Sequence, residues 1–189
     1  MVHREGILVS WNHHVNAAAV GADIEKDKMS FRIYKPADTA KNLEHNSRFT
    51  YSLTDSPELF YKASLTGADS SSCELDSEEI KEEDGFYYPV KATQTHFCKI
   101  SKITPGVVTD EYGTSEILDL EAEILSHKGK ENYIQREDPL VDAMVHASRY
   151  QILDAPAMKD RIRRKVTETL KDERGELADK IREKVGVSQ

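Results

Sequence analysis

Apolar and polar residues alternate with a period of two through most of the chain from Glu5 to Ser126, and recur about every fourth residue after Asp138, so strands are predicted first and helices last. Glu5 to Trp11 and Val15 to Ile24 are two strand-like runs, and the short polar connection Asn12-His13-His14 suits a hairpin between them. Asp27-Lys28 reads as a turn into a third strand, in which Phe31, Ile33 and Lys35 alternate with Arg32 and Tyr34 until Pro36, which has no N–H for a ladder. Asp38 or Thr39 then caps and opens a short helix. Phe49 to Thr54 alternates again, with Phe49, Tyr51 and Leu53 against Thr50, Ser52 and Thr54. Asp55-Ser56-Pro57-Glu58 has the cap and first-turn proline of a helix that carries Leu59, Phe60 and Ala63. Thr66 to Asp84 is polar and acidic and reads as a mobile or helical surface excursion. Phe86 to Thr104 and Glu116 to Ser126 follow as long antiparallel strands, with breaks at Pro105-Gly106 and over Asp110 to Thr114.

Asp138-Pro139 opens a helix that runs to Ile152, and after Asp154-Ala155-Pro156 a second carries Met158, Ile162, Val166 and Leu170, then Leu177, Ile181 and Val185. Gly175 costs about 1 kcal/mol inside a helix, so a kink or break is predicted there. The expected architecture is α+β, mainly β: antiparallel strands over 1–130 and a helical hairpin over 131–189 packed on them.

Composition narrows the function classes. With 38% hydrophobic and 32% charged residues, the chain can bury a sizeable core and is not disordered. No apolar run approaches the roughly 20 residues needed to cross a bilayer, and the N-terminus lacks the apolar segment of a secretory leader, so a cytoplasmic protein without membrane partners is expected. Two cysteines, Cys73 and Cys98, make no framework and are expected reduced. A net charge of −8 argues against a general nucleic-acid binder. Charge is uneven, however: ten basic and seven acidic residues from Ala157 to Lys184 give +3 there and leave −11 elsewhere.

Motifs exclude more than they assign. The sequence has no glycine-rich dinucleotide or Walker loop, no His-Glu-x-x-His and no Gly-x-Ser-x-Gly. His13 and His14 are neighbours that point apart with no third ligand close in sequence, so no metal site is expected. Asn16, Ala18 and Val20 share one strand face and Ala17 and Ala19 the other. Such a low face either packs tightly or admits a flat molecule. The helix opening at Asp38-Thr39, beside Arg32, Lys35 and Lys41, is either an ordinary cap among solvated cations or an anion site. Asp142, His146 and Arg149 fall on one helix face, as a salt-bridged surface or as a support for a phosphate-binding arginine.

The order of NAAAVGADIE, RIYKPADTAKNL, FTYSLTDSPELFYKASL and VDAMVHASRY resembles a largely archaeal family of FMN-binding split-barrel proteins, distantly similar to flavin reductases and pyridoxamine-phosphate oxidases. The resemblance implies an antiparallel split barrel that binds FMN over 1–130, and a homodimer with the flavin at its interface, in which the flavin carries the redox chemistry and the protein supplies binding and orientation. It implies a flavin-dependent oxidoreductase or reductase-like protein with a small-molecule electron donor or acceptor. It also implies roles for Asn16, Ala17 and Ala18 at the ring, Ser52 at its polar edge, and Arg32, Lys35, Thr39, Asn42 and Arg149 at the phosphate or ribityl chain. Ala19, Ser52 and Ser148 stand where relatives tend to carry Pro, Asn and Thr. Ala19 and Ser52 favour a second reading, a flavin-free or flavin-carrying interaction module that binds a protein partner through its acidic loop and basic hairpin, without catalysis.

Overall fold

A computed structural model describes residues 1–65, 75–110, 113–134, 137–153 and 155–187. Cys73, most of the Thr66 to Asp84 excursion and the predicted cap residue Asp154 lie outside the described residues. Eight strands and five helices are described: β1 (Val2–Trp11), β2 (Val15–Glu25), β3 (Lys28–Tyr34), α1 (Asp38–His45), β4 (Arg48–Leu53), α2 (Pro57–Ser64), β5 (Ile80–Glu83), β6 (Phe86–Pro89), β7 (Gln94–Asp110), β8 (Gly113–Gly129), α3 (Pro139–Ile152), α4 (Pro156–Thr169) and α5 (Glu176–Lys184).

Six strands close an antiparallel barrel in the order β1-β2-β3-β8-β7-β4, and β5-β6 form a separate hairpin. Alternation sorts side chains into two layers. Leu8, Val20, Phe31, Phe49, Tyr51, Cys98 and Leu120 fill the barrel, with Ala40 and Leu43 of α1 packed among them. Ile7, Val9 and Ala17 face outward into a second core shared with α2, α3, α4 and α5, whose centre is Val141, Met144, Ile162, Val166 and Ile181. Trp11 meets Phe86 and Tyr87 edge-on, seating the β5-β6 hairpin on the outer wall.

Several elements form for the reasons their sequences give. Ser56 accepts from the Leu59 N–H and Asp138 from that of Leu140, each followed by proline in the first turn. Gly175 sits at φ 118°, which only glycine adopts without strain, so the C-terminal apolar stripe breaks there into α4 and α5. Gly6 answers a close approach: a Cβ there would lie 2.5 Å from the ring of Tyr51, which crosses the barrel interior.

Four expectations need correction. The cap of α1 is Ala37, with no side-chain hydrogen bond, because Asp38 is held by Lys41 and Thr39 turns to Asn16. The predicted strand Phe86 to Thr104 is two strands, parted where Thr93 N–H turns to the Leu53 carbonyl. Pro105-Gly106 does not break β7. Pairing of β4 with β7 ends at Lys99, and proline is tolerated on an edge without a partner strand. The end of the acidic excursion is a strand, β5, rather than a helix.

Candidate functional site

The barrel has two short seams of four residue pairs each, β1–β4 and β2–β3, and the second opens beside α1. Strand β2 stays paired with β1 back to Val15, but its ladder with β3 covers only Ala22↔Phe31 to Glu25↔Lys28. Beyond that point β3 continues along β8 to Tyr34. The edge of β2 over residues 15–21 therefore faces a split, plugged by α1, which touches β1, β2 and β3.

Side chains converge on this split from seven elements, β1, β2, β3, α1, β7, β8 and α3. Asn16 Nδ2 donates to Thr39 Oγ1 at 2.8 Å, and Asn42 Nδ2 lies 3.3 Å from Ser10 Oγ, so a buried polar network ties α1 to β1 and β2. Tyr34, at the end of β3, is flanked by Arg149 of α3, whose guanidinium lies 6.0 Å over the ring, and donates to Asp110 at 3.2 Å. Burial raises the Tyr34 pKa; Arg149 and Arg32 pull it down and Asp110 pushes it up, which places all three charges around one phenol. Arg32 Nε donates to Asp119 at 2.8 Å and Lys35 Nζ lies 3.4 Å from Glu116. The Ala37 N–H is bonded to the Tyr34 carbonyl, so the first turn of α1 begins beside these cations.

The sequence candidates are thus partly gathered. Asn16, Ala17, Ala18, Arg32, Lys35, Thr39, Asn42 and Arg149 surround the split, although Ala17 points outward and Ala18 inward, so the two cannot share one ring face. Ser52 is elsewhere. It lies on the outer face of β4, beyond β1, fully buried and 2.9 Å from Thr95 Oγ1. The hydroxyl row of β4 is neither solvated nor aimed at the split, since Thr50 also donates, to the Tyr87 carbonyl. Nor do Asp142 and His146 simply line up behind Arg149. His146 is 4% exposed, 3.4 Å from Asp142, and Thr169 donates to that carboxylate at 3.2 Å, so the pair pins α3 to α4.

Sequence reasoning missed Tyr34 and the hairpin acids Asp110, Glu116 and Asp119. The alternation of Tyr34 with Arg32 on β3 was the available signal for the first.

Two cavities bear on the choice of site. The larger, about 840 Å³, opens among α2 to α5 between Tyr61, Tyr150, Leu177 and several lysines. A groove of about 460 Å³ runs over Gly21, Arg32 and Asp119 and adjoins the split. The groove shares Gly21 and the Arg32–Asp119 pair with the split but includes no residue of α1. Among the described residues no group of three or more His, Cys, Asp or Glu is placed to hold a metal ion.

A family model described as "Protein of unknown function (DUF447) N-terminal domain" matches residues 4–131. The chain belongs to the DUF447 family. A solved structure of an FMN-bound DUF447 protein from Methanosarcina mazei is 22% identical, covers 96% of this chain and 92% of that one, and superposes with a TM-score of 0.62. Flavoredoxin from Methanosarcina acetivorans is 12% identical over 70% of this chain and 72% of its own, with a TM-score of 0.53. A flavin reductase domain protein from Arthrobacter sp. FB24 is 8% identical over 69% and 80%, with a TM-score of 0.54. No functionally curated protein matches the chain. At these identities the likeness establishes the fold: this DUF447 chain is a flavin reductase-like split barrel, as its sequence pattern implied. Among the described residues no helix is long and apolar enough to cross a membrane.

Proposed function

We propose that this DUF447 protein binds FMN in the split between β2 and β3 and works as a flavin reductase-like oxidoreductase, with the flavin at the interface of a homodimer. The observation that carries the reading is the open edge of β2 over residues 15–21, facing the uncapped start of α1 and the cations Arg32, Lys35 and Arg149. The FMN-bound relative, alike over 96% of this chain, supports it.

The residues fit the group. Backbone N–H and C=O groups along β2 suit the polar edge of a flat heteroaromatic ring, and the first turn of α1 with nearby guanidinium groups suits a phosphate. When bound, the flavin supplies the capacity to accept and pass on hydride or electrons. The chain positions and shields. Asn16 and Thr39 fix α1 against β2, Tyr34 walls the split, and Arg149 over that ring is held for contact with phosphate oxygens. No side chain is assigned an acid or base role.

The test is a titration of the purified protein with FMN and riboflavin, followed by flavin absorbance and fluorescence. Arg149→Ala is expected to weaken FMN about tenfold, the loss of one charge-assisted hydrogen bond of about 1.5 kcal/mol, and to leave riboflavin unchanged. Equal losses for both flavins would make Arg149 a support of the fold. The second reading, a flavin-free interaction module, draws support from Ser52, whose buried hydroxyl is bonded to Thr95 away from the split. Absence of any saturable flavin binding would select it.

A further inference from the structure

The cations around the split already hold acids of their own chain. Arg32 is paired with Asp119 at 2.8 Å, Lys35 with Glu116 at 3.4 Å and Lys41 with Asp38 at 2.7 Å, while Tyr34, beneath Arg149, donates to Asp110 at 3.2 Å. Three of these four carboxylates come from one hairpin, β7–β8. Three cations are thus paired with three carboxylates and Arg149 and Asp110 share Tyr34, so these eight groups sum to a formal charge of zero.

That balance bears on how a phosphate is received. A dianion entering a bare cluster would gain the full set of charge-assisted hydrogen bonds. Here it gains only the difference between phosphate and a resident carboxylate on the same donors. The resident pairs are between 31% and 69% exposed at Arg32, Lys35, Lys41 and their acids, so their carboxylates exchange into water at little loss. Entry is therefore permitted but weakly rewarded. A neutral ribityl chain meets no such competition, because it uses the backbone edge and the ring wall instead.

We infer that the split takes flavin as an exchangeable ligand, accepting riboflavin and FMN with only about a tenfold difference in affinity, and that Asp110, Glu116 and Asp119 set this low selectivity. The inference rests on the reading of the split as a flavin site. Its consequence is functional: a flavin that leaves readily is suited to be reduced and released as a substrate, whereas a retained one is suited to act as a resident cofactor.

The experiment compares the wild-type protein with an Asp110→Asn/Glu116→Gln/Asp119→Asn variant, in which amides replace the carboxylates at nearly constant shape. Riboflavin and FMN are titrated against each at fixed salt. The wild type is expected to prefer FMN about tenfold and the variant about a hundredfold, through tighter FMN and unchanged riboflavin. A wild-type preference of a hundredfold, or FMN that survives desalting, would overturn the inference, as would an unchanged ratio in the variant. Should the triple variant fail to fold, Glu116→Gln, at an acid 69% exposed, carries the comparison with an expected gain of about two- to threefold for FMN; no gain would overturn it. If the wild type binds neither flavin, the site reading itself fails. If it binds both and the ratio does not respond to the acids, only this inference fails.

Discussion

Removing a single hydroxyl inside the barrel tests whether the β1-β2 wall is organised as described. Tyr51 is fully buried, and its Oη lies 2.7 Å from the carbonyl oxygen of Arg4 on β1 and 2.9 Å from that of Val20 on β2, the strand whose far edge faces the split. Burial lifts its pKa well above the usual phenol value, and the negative charge of Glu5 adds to this, so the group is a neutral donor at any working pH. Tyr51→Phe keeps the ring that Gly6 makes room for and deletes only the hydroxyl, which donates to a strand carbonyl and accepts from the Ala22 N–H. A buried carbonyl left without a partner costs about 1–3 kcal/mol, and in a domain of this size each kcal/mol moves Tm by about 2–4 °C. A fall of about 4–8 °C is therefore expected for a loss near 2 kcal/mol, read by thermal and urea denaturation with an unchanged m value. Tyr88→Phe is the comparison. Its hydroxyl is bonded to Glu83 at 2.7 Å, but Lys128 also holds that carboxylate at 2.8 Å, so the loss should be smaller. Equal melting temperatures for wild type and Tyr51→Phe, or equal losses for the two variants, would refute the reasoning.

Other expectations concern the second core, acid stability and assembly. Ile162 is fully buried where α4 meets α3 and α5, so Ile162→Ala should cost about 2–5 kcal/mol and be visible as a lower denaturation midpoint. His96 is buried in the barrel wall with Nδ1 unbonded; burial, then the neighbouring His127, lowers its pKa below 6.5. A lowered histidine favours the neutral form in the fold. Its contribution is therefore complete above about pH 6.5 and is lost as pH falls from there towards the folded pKa, so stability should drop on acidification and drop less in His96→Gln. Light scattering at micromolar concentration should report a dimer.

Two barrel strands were legible because one face of each meets an apolar interior, and alternation records this directly in β3 and β4, whereas β1 and β2 are apolar on both faces because the second core covers the outer one. Caps with a serine or aspartate before proline were equally legible at Ser56 and Asp138. What sequence could not supply was long-range pairing. The split exists because the β2–β3 ladder ends at Ala22↔Phe31 while β3 goes on along β8, and no local pattern encodes where a ladder stops. The same limit explains Ser52. Its alternation with Phe49, Tyr51 and Leu53 was read correctly, but a polar face looks identical in sequence whether it meets water or, as here, Thr95. Asp38 failed as a cap for a local reason of another kind, since Lys41, one turn on, competes for its carboxylate.

The central claim is that flavin occupies the split rather than the larger cavity among the helices. Backbone amide shifts recorded by heteronuclear NMR during an FMN titration test it most directly. The account predicts the largest changes in the amides of residues 15–21 on β2 and 37–40 at the start of α1, with Arg149 following. Changes confined to Tyr61, Tyr150, Leu177 and their neighbours around the cavity of α2 to α5 would contradict it.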